Sequence, residues 1–261
     1  MFESMQAPLF FGLIAALVTT TGLVAVSVQG DWSARFSTLM GLAAAGMLVT
    51  LSLLHIAPEA FALSPNAPGF MLAGFLGGLL LKYTLDSFFP ESMSGGRMAA
   101  FTPIIAIAIH SFIDGVIYSV TFAASFTTGV YAALSLILHE FPEGVIAFAI
   151  LRRHRFSNRQ AFLFAFLASA VTTPLGVIVS SPFMSVLTPE AIGSLFAVSA
   201  GLLLYVATGP LMSPMKAEPP VRSLLAVGAG VVMALGISML PVHGHDSISG
   251  EVSDLLSETV E

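Results

Sequence analysis

The sequence contains one polar motif twice, in stretches that are otherwise strongly apolar. The first copy begins at His110 and the second at His139, and both read His-x-Phe-x-acid-Gly-Val-Ile. In each copy a carboxylate follows the histidine by four residues: Asp114 in the first and Glu143 in the second. Residues at i and i+4 share one face of a helix, about 6 Å apart along its axis. Two such helices facing each other would enclose two imidazoles and two carboxylates, a suitable ligand set for a divalent cation.

Composition places these motifs in a membrane. Of 261 residues, 56 % are hydrophobic and 9 % are charged, and the mean hydropathy is +0.92. We therefore expect an all-α integral membrane protein that crosses the cell membrane several times, either an inner or a plasma membrane. Ionisable groups at membrane depth are costly and mark ion or substrate pathways. The motifs thus predict metal transport; the alternative is a buried hydrogen-bonded network that only ties two helices together.

Eight segments reach the roughly 20 apolar residues that a spanning helix needs. They are residues 7–29, 36–62, 68–89, 99–122, 127–151, 160–180, 189–213 and 221–241, here called spans one to eight. Residues 1–241 form the predicted transport domain, and residues 242–261 form a polar, acidic tail outside the cell that contains His243 and His245. Pro58 is expected to end or kink span two.

The basic residues give the orientation of the spans. All nine lie in or beside the loops that follow spans one, three, five and seven: Arg35, Lys82, Arg97, Arg152, Arg153, Arg155, Arg159, Lys216 and Arg222. The positive-inside rule places these loops in the cytoplasm, so both termini are predicted to face outward.

This orientation aligns the two motifs. Span four runs outward and span five runs back, and both histidines lie near the bilayer midplane. In such an antiparallel pair, His110 is level with Glu143, and Asp114 is level with His139. The four side chains are therefore expected to converge.

The two motifs resemble the signature motifs of the ZIP family of divalent-metal transporters. The stretch from His55 to Glu59 in span two, His-Ile-Ala-Pro-Glu, is similar to the family's His-x-x-Pro-Glu element. The resemblance covers nearly the whole chain and implies an eight-helix bundle with both termini outside. It assigns the transport site to spans four and five, hence to four residues: His110, Asp114, His139 and Glu143.

Some family members hold a second ion beside the first. In this chain Glu140 matches one of its ligands, but Ser111 and Thr173 stand where an Asn and a Glu are usual. We therefore expect one firmly held metal, with Ser111 and Glu140 as candidates for a weak second metal or a proton. His55 and Glu59 share one face of span two and are candidates for an entrance that attracts cations.

Two imidazoles and two carboxylates suit Zn²⁺, and also Fe²⁺, Mn²⁺, Co²⁺ or Cd²⁺. The absence of cysteine excludes thiolate ligands and disulfides. We expect no prosthetic group, since the metal is the transported substrate. The expected partners are divalent metal ions and the lipid bilayer, with no nucleic acid, and a homodimer stays open. The resemblance implies import by alternating access.

Two other classes of protein fit parts of the pattern. His139-Glu140-x-x-Glu143 is one residue short of the His-Glu-x-x-His zinc-protease motif, so a membrane-embedded metallohydrolase with Glu140 as base is one alternative. A metal sensor without flux is the other. The duplicated phrase favours a transporter, because transporters are built from repeats that meet at the site.

Overall fold

The computed structural model describes residues 2–28, 30–88, 96–183, 187–216 and 218–239, and these ranges are helical apart from short turns. Eight helices are long and apolar enough to cross a membrane, which confirms the predicted number. Their spans are Met5–Ser27, Phe36–Leu63, Ala67–Phe88, Met98–Ala123, Gly129–Arg153, Asn158–Phe183, Pro189–Lys216 and Pro220–Ile237. The predicted tail 242–261 lies outside the described residues.

Most spans are built from one α-helix, and spans two and six from two. The α-helices are Phe2–Ser27, Gly30–Leu51, Ala57–Leu63, Ala67–Phe88, Phe101–Ala124, Phe126–Arg153, Asn158–Ala165, Thr172–Ser180, Pro189–Val206 and Pro220–Ser238. Short 3₁₀ turns are Met98–Ala100, Ser181–Phe183 and Ser213–Lys216.

Spans two, six and seven each contain one π-helical turn, and each turn has a proline in or after it. The turns are Ser52–Ile56, Phe166–Ala170 and Ala207–Leu211, with Pro58, Pro174 and Pro210 as their prolines. A proline cannot donate to the carbonyl four residues earlier, and its ring clashes with that carbonyl. The wider π-helical turn relieves the clash, because its backbone N–H groups donate to the carbonyl five residues earlier instead of four.

The predicted early end at Pro58 is wrong, and a kink there stays a prediction. Span two continues to Leu63, with a π-helical turn before the proline. Pro58 then occupies the first turn of the helix Ala57–Leu63, where its missing N–H is tolerated.

The spans pack as two groups of four. Spans one, four, five and six pack against one another and form the first helix group. Spans two, three, seven and eight form the second helix group. The groups meet where span two contacts span five and where span seven contacts span four. The two motif helices thus lie at the boundary between the groups.

Glycines bring the backbones together inside each group. In four pairs of helices, each helix places a glycine against the backbone of its neighbour. The contact is so close that a Cβ on either glycine would collide with a backbone carbonyl of the neighbouring helix. The pairs are Gly22 with Gly144, Gly115 with Gly176, Gly46 with Gly230, and Gly74 with Gly201. The first two pairs lie in the first helix group and the last two in the second. Gly74 therefore packs on span seven of the same chain.

Spans three and eight lie at the periphery. Their outward faces carry large exposed apolar side chains, including Leu79, Leu80, Leu224, Leu225 and Val232. Such a surface is suited to the acyl chains of a bilayer. Near the C-terminal end of span three, Lys82 forms an ion pair with Asp86 one turn away.

Candidate metal centre

A cleft lies between the two helix groups. One wall comes from spans two and seven, and the other from spans four and five. The polar residues of its lining are His55, Glu59, His110, Asp114, His139 and Glu143. Apolar side chains such as Leu51, Leu136 and Phe196 surround them. The cleft brings together all four proposed ligands and both proposed entrance residues.

The motif side chains meet as the level pairing predicts. His139 Nε2 is 2.9 Å from Asp114 Oδ2, and His110 Nε2 is 3.7 Å from Glu143 Oε2. His110 Nε2 also lies 3.6 Å from Asp114 Oδ2. Ligand atoms about 2.0–2.2 Å from a zinc ion in tetrahedral geometry lie roughly 3.3–3.6 Å from one another. Little movement would therefore convert this cluster into a coordination sphere.

Three of the four motif side chains form a compact group. One ligand atom from each of His110, Asp114 and His139 lies within 4.8 Å of the other two, and all three side chains are buried. The two imidazole rings lie 5.5 Å apart, centroid to centroid. Glu143 joins them through its contact with His110.

A residue of the second helix group orients His110. The Nδ1 atom of His110 lies 2.9 Å from the hydroxyl of Ser199 on span seven. When Nδ1–H donates to that hydroxyl, Nε2 keeps its lone pair and faces the centre of the cluster.

Ser111 positions Glu143 from the neighbouring helix. Its hydroxyl donates to Glu143 Oε1 and also lies 2.9 Å from the carbonyl oxygen of Ile107. Ser111 is fully buried. In this arrangement Ser111 acts as a hydrogen-bond donor to a proposed ligand.

Glu140 points away from the cleft, into the first helix group. Thr19 of span one donates to Glu140 Oε2, and Thr173 of span six lies 3.5 Å from Oε1. Glu140 has no exposed surface and does not line the cleft. The structure therefore separates Glu140 from the four clustered residues, although it follows His139 directly.

This orientation argues against the hydrolase alternative. A zinc hydrolase needs a general base within reach of the metal-bound water. Glu140 was the candidate base, but both of its carboxylate oxygens face threonine hydroxyls on spans one and six.

Burial gives the cluster its electrostatic character. Asp114, Glu140 and Glu143 are at most 4 % exposed. Carboxylates removed from water need compensating charge or hydrogen bonds. Hydroxyl groups satisfy Glu140 and one oxygen of Glu143, whereas Asp114 and the other oxygen of Glu143 face the imidazoles. A divalent cation between them would supply the balancing charge.

His55 and Glu59 are half-buried and line the same cleft as the four clustered residues. Both belong to span two, with His55 in the π-helical turn and Glu59 in the helix that follows it. Placement in the lining is consistent with an entrance role, which stays a prediction.

Sequence reasoning missed Ser199 and Thr19. Ser199 is a single serine among apolar residues, and nothing in its spacing points to His110. Thr19 begins a run of three threonines in span one, and that polar run in an apolar helix was a usable signal.

The chain is similar to known metal transporters. The family model described as ZIP Zinc transporter matches residues 89–238, more than half of the chain. Zinc transporter ZupT of Lysinibacillus sphaericus is 26 % identical over an alignment of 272 positions, which covers 89 % of this chain and 97 % of that protein. Zinc transporter ZIP13 of Pongo abelii is 26 % identical over 240 residues, which cover 84 % of this chain and 71 % of that protein.

Human zinc transporter ZIP4 is 34 % identical over 119 residues, or 46 % of this chain. The match spans only 18 % of the length of that protein. The family and the relatives' names describe transporters rather than enzymes, and the eight apolar helices agree with a multi-pass membrane protein. Fold, paired motifs and comparisons thus lead to one conclusion: the chain belongs to the ZIP zinc transporter family.

Proposed function

We propose that this chain imports divalent metal ions, foremost Zn²⁺, through a site formed by His110, Asp114, His139 and Glu143. The observation that carries the proposal is the convergence of two buried imidazoles and two buried carboxylates in a cleft between two helix groups.

The ligand set explains how a divalent ion can sit at membrane depth. Two carboxylates cancel the double charge of the ion, and two neutral imidazoles add nitrogen ligands without adding charge. The cost of placing an ion in a medium of low dielectric is thereby offset by the site itself. A nitrogen and oxygen site also admits Fe²⁺, Mn²⁺, Co²⁺ or Cd²⁺.

Alternating access follows from the position of the site. The close glycine contacts make each helix group a tightly packed body, whereas the groups meet along the cleft. Sliding the first helix group against the second would move the ligands on spans four and five past spans two and seven. The site would then face one side of the membrane and afterwards the other. Import rather than export is what the family resemblance implies.

Flux is the property to measure first. Purified protein in liposomes should load the vesicles with Zn²⁺, whereas a hydrolase or a sensor would bind the ion without loading them. Cells that express the chain should accumulate radioactive Zn²⁺ if the direction is inward. Lower accumulation than in control cells would show export instead.

The site is tested by single substitutions. His110→Ala and His139→Ala each remove one nitrogen ligand and should abolish uptake while the protein remains folded and inserted. His154→Ala is the matched control, because His154 lies at the end of span five and bonds to its own helix at Ile150. Uptake at the parental rate by either site variant would contradict the shared site.

A further inference from the structure

The hydrogen bond between His110 and Ser199 crosses the boundary between the two helix groups. His110 belongs to span four and Ser199 to span seven, and the distance from Nδ1 to Oγ is 2.9 Å. Both side chains are buried, with 6 % of His110 and 1 % of Ser199 exposed. Water therefore competes little for either atom.

We infer that Ser199 is a positioning residue for metal binding, and that it holds His110 in its ligating form only when the two helix groups are in the described relative position. The inference rests on the proposed function, because it assigns the partner of one proposed ligand. It adds a link between metal affinity and the arrangement of the groups.

The chemistry of imidazole gives the first step. A neutral histidine has one N–H and one lone pair, and a hydrogen bond at one nitrogen decides which of the two faces the metal. His110 Nε2 faces Asp114 and Glu143, so Nδ1 must carry the proton when Nε2 binds a metal. The Ser199 hydroxyl is the acceptor that fixes this tautomer and the ring orientation. Loss of such a partner typically weakens metal affinity 10- to 100-fold.

Packing gives the second step. Ser199 lies two residues before Gly201, which contacts the backbone of span three at Met71. The position of Ser199 is thus fixed within the second helix group. His110 lies on the helix whose Gly115 contacts span six at Thr173, so its position is fixed within the first.

Together, the two steps couple the metal affinity of the site to the relative position of the two helix groups. A shift of one helical turn is about 5.4 Å, far more than a hydrogen bond tolerates. When the groups slide, Ser199 leaves His110 and the imidazole loses its orientation. The ion is therefore held firmly in one arrangement and more loosely after the shift, which favours its release.

The test compares Ser199→Ala with Ser199→Thr in purified protein and in liposomes. Ser199→Ala should raise the Zn²⁺ dissociation constant and the KM of uptake by about 10- to 100-fold, with kcat changed less than about twofold. Ser199→Thr keeps a hydroxyl and should restore most of the affinity. Ser180→Ala is the control, since this buried serine bonds to Ser119 within the first helix group and should leave Kd and KM unchanged.

A structural role alone would lower kcat and the amount of folded protein without this split between KM and kcat. Parental Zn²⁺ affinity in Ser199→Ala would overturn the inference. If wild-type protein binds Zn²⁺ but loads no vesicles, the proposed function fails, whereas the binding comparison still decides the role of Ser199.

A spectroscopic measurement covers the case in which the variants fold poorly. Nitrogen-15 spectra of Zn²⁺-loaded, histidine-labelled wild-type protein should show a proton on His110 Nδ1 and the metal on Nε2. The signal is assigned by its loss in His110→Ala. The opposite arrangement, with the metal on Nδ1, would refute the role of Ser199.

Discussion

At the scale of single residues, hydroxyl groups position the acidic and imidazole side chains. Ser199 bonds to His110, Ser111 to Glu143 and Thr19 to Glu140. Hydroxyls are neutral and can donate or accept, so they orient these groups without changing the charge of the site. The charge balance of the centre is therefore left to the carboxylates and the transported ion.

The position of Glu140 leads to a prediction of one firmly bound metal per chain. A second ion a few ångströms from the first needs additional negative charge, because repulsion between cations is strong at low dielectric. Glu140 is the acid of spans four and five that lies outside the four-residue cluster, and it faces Thr19 and Thr173 rather than the cleft. Anomalous diffraction at the metal edge should show one full-occupancy peak between spans four and five. Two such peaks that persist at low metal concentration would contradict this prediction.

Thr173→Ala provides an independent check of the same point. If Thr173 only donates a long hydrogen bond to Glu140, its loss should reduce uptake no more than about fivefold, the factor that corresponds to ~1 kcal/mol. The measurement is the initial rate of Zn²⁺ uptake by liposomes, normalised to inserted protein. A loss as complete as that of His139→Ala would instead make Thr173 part of the site.

The spacing of the motifs predicted the four clustered residues, but it could not reveal their hydroxyl partners. The i, i+4 rule is local and carries over directly from sequence to helix. A serine in an apolar helix usually bonds to the carbonyl four residues earlier, as Ser169 does with Ala165. Ser199 therefore looks ordinary in the sequence, and only the packing of span seven on span four distinguishes it.

At the scale of elements, the glycine contacts hold each helix group together. Without a hydrophobic driving force between helices in lipid, close packing at small residues becomes a main source of association. Gly46 and Gly230 bring spans two and eight together, and neither lies on spans four and five, which carry the motifs. This pair allows the packing of the second helix group to be tested without replacing a proposed ligand.

Gly230→Ala should destabilise the protein, whereas Gly228→Ala should not. A Cβ at Gly230 would collide with the carbonyl oxygen of Ala43, but a Cβ at Gly228 meets nothing within 4 Å. Overpacking costs about 1–3 kcal/mol, and each kcal/mol lowers Tm by roughly 2–4 °C in a chain of this size. Thermal unfolding in detergent at one scan rate compares the two variants. Equal Tm values would show that the close contact is not needed.

The π-helical turns mark where sequence reasoning about elements ends. Pro58 and Pro174 are visible in the sequence, and a proline ordinarily predicts a kink or an end. Whether the chain instead widens the preceding turn depends on the neighbouring helices, which must supply room and packing for it. Span six widens at Phe166–Ala170 and continues to the 3₁₀ turn Ser181–Phe183. That outcome depends on tertiary contacts that no local pattern encodes.

At the scale of the whole molecule, the site and the boundary between the groups coincide. His110 bonds to Ser199 of span seven, and Arg153 of span five contacts the carbonyl oxygen of Pro210 on span seven at 3.3 Å. Both contacts join one group to the other, so a sliding movement would have to break them. Hydropathy predicted the eight spans, because each is a continuous apolar run. Their partition into two groups arises from contacts between segments distant in the sequence, among them the four glycine pairs.

The orientation of the molecule in the membrane is the last prediction, and it rests on the distribution of positive charge. The loops after the odd-numbered spans hold the basic residues and should be cytoplasmic, which places the loop between spans four and five outside. The chain has no cysteine, so single substitutions report one position each. Thr127 and Arg159 are both exposed and lie on opposite sides in this arrangement. Thr127→Cys should react with an impermeant thiol reagent added to intact cells, whereas Arg159→Cys should react only after the membrane is opened. The reverse labelling pattern would invert the topology and, with it, the side of the membrane from which the proposed entrance residues His55 and Glu59 would receive the ion.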